Sequence, residues 1–512
     1  MTRRHTQARA QTALPALGRA LAAALVLLAL AATVLVAQEA PRRLTLAEAV
    51  AIAQRNNPGY LSARNDQGAA DWQVREAYAS FLPRVDASAG LTYQEPGVQR
   101  IGAIDIGGAS TDYLYSGYDL SLSWRLDGNS IFQSSSARAN REATQARIRA
   151  TGFDLESAVT LQYMAAMRAR DGVEVAKRQL DRAQQNFELA TVRAQSGAVA
   201  MVDAKQGEVE RGRAEVALIQ AQRLYRAEKL RLTEQLGVEL QGDVELVSEA
   251  QPFEPTWALD DLLERALTAH PSLRAAQARE AVGRAQVRQA RSGYFPSFNV
   301  STGLRGNAVE MLNKGFLVTQ AQQGVESRRS QCELQNALVA GLSRPYTGFP
   351  LNCAQYVFTD AQRQQIVSQS EVFPFDFTKN PLQLSLSVSV PVFNGLATQR
   401  QLEQAQASAH DAHEDRRAQE LHLRTLVTQA YDNLVTAYQL IALQDRNRQV
   451  AEQRLSMARQ RYAVGAAAIL ELLDAQTSVQ TAERDYLNAL YDFQINLAIL
   501  EAASGSRLRP EG

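Results

Sequence analysis

The chain has 512 residues, with 54 Lys and Arg against 54 Asp and Glu, and 46% of it is hydrophobic. Neutrality argues against a polyanion binder, and two cysteines exclude a disulfide-dense scaffold or a cysteine-built metal cluster. A mean hydropathy of −0.27 and a single long apolar run exclude a polytopic helical membrane protein.

That run belongs to an expected export signal, residues 1–37. Arg3, Arg4, Arg9 and Arg19 precede an apolar stretch from Ala20 to Val36, Ala37 offers a small residue for cleavage, and no stop-transfer pattern follows. A single membrane anchor is the alternative; a lipoprotein anchor is disfavoured because no cysteine follows. Removal of the segment leaves 50 basic against 54 acidic residues, a mildly acidic mature chain. Export also makes a disulfide between Cys332 and Cys353 chemically reasonable.

Proline is absent between Pro96 and Pro252 and again between Pro391 and Pro510. Proline is the strongest helix breaker, and Ala, Gln, Arg, Glu and Leu fill both gaps, so each predicts long helices. In the second gap Leu423, Val427, Ala430, Leu434, Ala437 and Ile441 follow a 4,3 spacing, the coiled-coil period. Gly197 and Gly465 each interrupt a helical run and mark a hairpin tip. The arm before Gly197 spans roughly 100 Å and the returning arm roughly 60 Å at 1.5 Å per residue. Segment 257–292, a further helical pattern, has the length to complete a returning arm end to end.

The chain is an internal duplication. A shift of 268 places Gly197 on Gly465, Asp203 on Glu471 and Gly237 on Gly505; a shift of 213 places Asn57-Pro58 on His270-Pro271 and Leu82-Pro83 on Phe295-Pro296. The shifts differ by 55, which predicts an insert of that size between Leu304 and Leu384, where both cysteines lie.

Four short segments have period two: 85–93, 118–126, 298–304 and 382–390. Tyr118, Leu120, Leu122, Trp124 and Leu126 alternate with Asp119, Ser121, Ser123 and Arg125, and Leu384, Leu386 and Val388 alternate with serines. They read as half-buried strands of a small soluble sheet or as bilayer-crossing strands, which need about nine to eleven residues. A lipid-facing sheet must close on itself, and four strands are too few, so several copies would share one barrel.

At this point the order of motifs resembles the TolC family of trimeric outer-membrane efflux and secretion ducts. The residues carrying the resemblance are Leu44 to Ala49 with Asn57-Pro58, Tyr78 to Pro83, Pro391 to Gly395, and Arg461-Tyr462-Ala463-Val464-Gly465 through Leu470 to Gln476. The resemblance implies a mainly α fold with a transmembrane β-barrel part. Three copies would give a twelve-stranded barrel in the outer membrane of a Gram-negative bacterium and a twelve-helix α-barrel in the periplasm. It also implies a periplasmic adaptor (membrane fusion protein) and an inner-membrane transporter as partners, with no catalysis, cofactor, resident metal or nucleic acid. The expected organisation is a first repeat over 44–240 (hairpin 129–236), a linker over 241–256 in an equatorial layer, a second repeat over 257–505 (hairpin 396–503) and a tail over 506–512. The insert, about 306–380, is expected on the extracellular side, with helical patches near 320–342 and 359–370, where a Cys332–Cys353 bridge would tie it down.

The resemblance also locates a gate. Glu471 and Asp474 share a helix face just past the second tip, and three copies would supply six carboxylates around the constriction. Such a ring favours cations and divalent block. Asp203 and Tyr462 match positions of the closing network, opened by an iris-like movement of the returning helices. The basic partner often found two residues after the tip glycine is Ala467 here, so the gate is expected to be held by other contacts. His410, His413 and Glu414 form a weak metal pattern that reads better as a solvated helix face. A soluble periplasmic coiled-coil adaptor is the alternative function; it would lack strands placed at the helix junctions.

Overall fold

The computed structural model describes residues 42–96, 100–101, 104–105, 112–239, 244–247, 251–344 and 347–509. The expected export signal, 1–37, lies outside them, as do parts of the linker and tail. In chain order the chain forms β1 (Arg42–Leu44), α1 (Leu46–Asn56), α2 (Pro58–Ala79), β2 (Arg84–Gln94), β3 (Tyr113–Leu126), α3 (Gly128–Gln195) and α4 (Met201–Leu236). It continues as β4 (Val244–Leu246), α5 (Leu259–Ala269), α6 (Pro271–Arg291), β5 (Ser297–Met311), α7 (Lys314–Ala340), α8 (Asp360–Gln369), β6 (Gln383–Ser389), α9 (Ala397–Ala463) and α10 (Ile469–Ser504). The two proline-free gaps are thus helical pairs of 68 and 36 residues, and of 67 and 36 residues.

Two compact units are present: the described parts of Met1–Asp66, Thr144–Ala276 and Asp415–Gly512, and those of Gln67–Ala143 and Gln277–Glu414. Each draws on both expected repeats.

In the first unit, segment 257–292 is broken into α5 and α6 because Pro271 lacks an N–H and holds His270 extended, at φ −60 and ψ 127. The break serves a junction. Gly505 (φ +69) ends α10 against His270, whose Nε2 lies 3.0 Å from the Ala502 carbonyl while its Nδ1 accepts the Ser272 N–H at 3.2 Å. The earlier repeat has the same joint: Gly237 (φ +72) ends α4 against Asn56, Asn57 Nδ2 donates to the Gln235 carbonyl at 3.0 Å, and Asn57 Oδ1 accepts the Tyr60 N–H at 3.1 Å. Each returning arm therefore meets a second helix end to end, with one side chain satisfying the last carbonyls of one helix and the first N–H groups of the next.

Beside these joints β1 pairs in parallel with β4, and Tyr163, fully buried, ties the pair to α3. Its hydroxyl lies 2.6 Å from the Leu44 carbonyl and 2.7 Å from that of Val247, and accepts the Val247 N–H at 2.9 Å. Burial pushes the Tyr163 phenol above its ordinary value, so it remains a donor. The 4,3 stripe of α9 packs inward: Leu423, Val427, Ala430, Leu434 and Ala437 are all buried, four of them beside Leu262 of α5 and Phe493 of α10.

The second unit is built on an antiparallel sheet in the order β2–β3–β5–β6. Its register aligns apolar positions in rows: Val85, Leu122, Thr302 and Leu384 form one, and Trp124, Val300 and Leu386 another. The two central strands run longer than their alternation predicts, 14 residues in β3 and 15 in β5. Tyr113 and Tyr115 place aromatics on the otherwise polar face, which hides the period there. The expected insert correspondingly starts after Met311 rather than at 306.

Candidate functional site

The two helical tips are built alike. Gly197 (φ +74) and Gly465 (φ +84) take left-handed backbone, and the following N–H groups of Ala198 and Ala466 turn back to the carbonyls of Arg193 (2.9 Å) and Arg461 (2.8 Å). Neither α4 nor α10 has a side-chain N-cap; Ala200 and Ala468 occupy those positions. Asp203 and Glu471 stand instead in the first turns, where a carboxylate is favoured by the helix dipole.

The structure brings the expected gate residues into one neighbourhood. Tyr462, fully buried in a cluster with Ala190, Ile469, Leu472 and Ala475, directs its hydroxyl to Asp203 Oδ2 at 3.4 Å. The Arg193 guanidinium lies over its ring, 4.9 Å from the centroid. Burial pushes the Tyr462 phenol up, Asp203 adds to this, and Arg193 opposes it. The first hairpin is thereby pinned to the second within one chain.

Glu471 and Asp474 do not stand as bare carboxylates. Arg461 Nη1 donates to Glu471 Oε1 at 2.8 Å, and Arg454 Nη2 to Asp474 Oδ2 at 2.6 Å. Arg461 also reaches the Ala466 carbonyl at 3.2 Å. Both arginines lie on α9, the arm preceding the tip. The signal was available, because each pair lies at nearly equal distances from Gly465 along the two arms. All four side chains are substantially exposed, so each pair contributes about 0–1 kcal/mol and acts mainly on local charge. A deeper clamp, absent from the sequence reading, lies farther along: Arg182 donates from both Nη1 and Nη2 to the carboxylate of buried Glu483.

In the second unit most of the apolar side of the sheet is uncovered, the exception being its end at Ser116 and Ala308. Leu91, Leu384 and Leu386 are each about 70% exposed, and every residue of edge strands β2 and β6 is exposed. The opposite side carries serines and an Asp119–Arg305 pair at 3.2 Å. An uncovered apolar face this large marks contact with lipid or protein. Cys332 and Cys353 are joined as a disulfide, and Asn336 ties the same loop by accepting the Leu351 N–H at 2.7 Å. His413 Nδ1 lies 3.3 Å from Glu280 Oε1; among the described residues no group of three or more His, Cys, Asp or Glu is placed to hold a metal.

Paired long helical hairpins together with a short sheet that exposes one apolar side are the features of a membrane-duct class of protein. The chain belongs to the outer membrane efflux protein family, whose model matches residues 49–238, 262–338 and 358–506. The outer membrane protein TolC of Salmonella enteritidis is 22% identical over 468 residues, covering 89% of this chain and 80% of that protein. The solved structure of CusC, described for transmembrane channel formation, aligns with a TM-score of 0.66 at 18% identity, covering 90% of this chain and 92% of that one. The outer membrane protein VceC of Vibrio cholerae aligns with a TM-score of 0.63 at 17% identity, covering 90% and 97%. At such identities the structural likeness is one of fold. The family is one of channels rather than enzymes.

Proposed function

We propose that three copies of this chain close a twelve-stranded barrel in the outer membrane, continued by a twelve-helix tube in the periplasm. The assembly is the passive exit duct of a tripartite efflux pump or a type I secretion system, exporting small molecules or proteins. The observation that carries this reading is the sheet, with four long strands and the two-residue strand Thr378–Lys379, an apolar face largely uncovered and two open edges. Open edges cannot persist in hydrocarbon, where every backbone group must be paired. Edge strands β2 and β6 are the surfaces on which neighbouring copies would add. The periplasmic adaptor and inner-membrane transporter supply docking and energy. Residues 44–240 and 257–505 serve as two repeats, each contributing one hairpin to the tube.

The gate lies at the tips. Asp203 and Tyr462 hold the hairpins together, and Glu471 and Asp474 face the constriction in company with Arg461 and Arg454. Six carboxylates beside six guanidinium groups make a ring whose cation preference is attenuated, not abolished. In planar bilayers, Glu471→Ala with Asp474→Ala is expected to weaken cation selectivity and divalent block. Arg454→Ala with Arg461→Ala is expected to strengthen both. If neither pair of substitutions changes conductance or block, these four residues have no part in the gate. The competing reading, a soluble periplasmic adaptor, would be favoured by release of the protein with the periplasmic fraction and no channel activity.

A further inference from the structure

The insert between β5 and β6 seats itself on a particular side of the sheet. In β3 the apolar side carries Ser116, Tyr118, Leu120 and Leu122, and in β5 the same side carries Ala308, Gly306 and Leu304. Ser116 and Ala308 are 1% and 2% exposed, whereas Leu120 and Leu304 below them are open. What covers the first two is the returning segment of the insert. Ser116 Oγ donates to the Pro374 carbonyl at 2.7 Å, the Phe377 ring meets Tyr118 edge-on at 5.0 Å, and the Phe373 N–H donates to Glu310 at 3.1 Å. Residues 373–377 thus lie on the apolar side, away from the Asp119–Arg305 side. Phe375 projects from them, 80% exposed.

The height of this cover is set by strand length. About nine to eleven residues cross a bilayer, and β5 has 15, beginning at the helical end with Ser297. The tenth residue is Gly306, where Tyr118 and the 373–377 segment begin. The cover therefore starts where the hydrocarbon span would finish, the level at which aromatic rings concentrate on membrane barrels. A second feature points the same way. Helix α7 buries Cys332 against its disulfide-tied loop, but its opposite face presents Phe316, Leu334 and Leu338 at helical spacing, continued by Leu342. Gln320, Ser327 and Gln331 fill the positions between them, so the stripe carries no charge over its whole length. Soluble helices normally charge such an exposed face.

We propose that the insert is a collar embedded in the outer leaflet, its 373–377 segment and the uncharged face of α7 contacting lipid outside the barrel, not a cap over the mouth. This rests on the barrel reading above. The apolar side of the strands continues through Tyr118 and Phe377 to Phe375, and the α7 face bearing Phe316, Leu334 and Leu338 carries no charge that would oppose contact with lipid.

The test uses the full-length assembled protein in vesicles of ordinary or acyl-brominated phospholipid, with Trp fluorescence read in both. Three single-tryptophan proteins are compared. One keeps Trp124 alone, with Trp72→Phe and Trp257→Phe. Two lack all three native tryptophans through Trp72→Phe, Trp124→Phe and Trp257→Phe, and carry Leu338→Trp or Phe316→Trp. Trp124 lies on the apolar strand face, so its quenching reports the barrel. Both insert tryptophans are expected to lose fluorescence to brominated lipid to an extent comparable with Trp124. Quenching of Trp124 without quenching of either insert position overturns the collar, whether their emission is that of a water-exposed indole or of one buried against a neighbouring copy. An unquenched Trp124 would overturn the barrel, and the collar with it. If Leu338→Trp does not assemble, Phe316→Trp reads the same face.

Discussion

Gly197 and Gly237 share a left-handed backbone, with φ of +74 and +72, yet their surroundings differ. A methyl group added at Gly197 meets nothing within 4 Å, so Gly197→Ala carries only the conformational strain, about 1–2 kcal/mol. At Gly237 the added carbon would lie 2.5 Å from the Asn56 carbonyl oxygen, in the joint between α4 and α2. Gly237→Ala should therefore lower the temperature at which the assembly dissociates distinctly more than Gly197→Ala; equal effects would mean that the joint tolerates displacement. Sequence alone marked Gly197 and Gly465 as tips, because each interrupts a helical run. It did not reveal what Gly237 and Gly505 touch, since Asn56 and His270 lie far away in the chain. Tyr163 was likewise missed, because the carbonyls it binds belong to short strands with little pattern. Tyr163→Phe should cost about 1–3 kcal/mol by stranding the Val247 N–H, read as a drop in the same dissociation temperature.

Between elements, the two end-to-end joints differ in one respect that can be measured. Asn57 and His270 make equivalent hydrogen bonds, but only the second titrates. His270 is buried, and desolvation holds its pKa below the ordinary 6.5, partly offset by the Ala502 carbonyl and Asp154. Asp154 beside it is pushed upward, chiefly by burial, with His270 opposing. For a group whose folded pKa is depressed, the contribution to stability is complete above the unfolded value and disappears as pH falls through the folded one. Protonation would also turn Nδ1 into a donor facing the Ser272 N–H. The assembly should therefore lose thermal stability on acidification below pH 6.5, and His270→Asn, copying Asn57, should flatten that dependence. An unchanged slope in His270→Asn would assign the acid sensitivity elsewhere. The helices and strands themselves were legible, because proline gaps and period-two alternation are local signals. The upper ends of β3 and β5 were not, because Tyr113 and Tyr115 pair there without keeping the faces distinct.

At the scale of the whole molecule, the neutral composition and mean hydropathy of −0.27 reflect helices rich in charged and polar residues, which make up most of the chain. The sheet exposes an apolar side, and exposed apolar side chains also recur along the hairpins, as at Val202, Val209 and Val216 of α4 and Leu443, Val450 and Met457 of α9, while the long helices pair their backbone internally. The neighbouring carboxylates Glu471 and Asp474 were legible in the sequence but their pairing was not, because Arg454 and Arg461 approach from the other arm of the hairpin. Closure is proposed to need three copies, since the strands of one chain cannot seal a barrel and two open edges require partners. The most direct test is the native mass of the complex extracted from isolated outer membranes in mild detergent. Three chains per particle are expected; a monomeric mass, or a particle that does not contain three copies, would contradict closure by three.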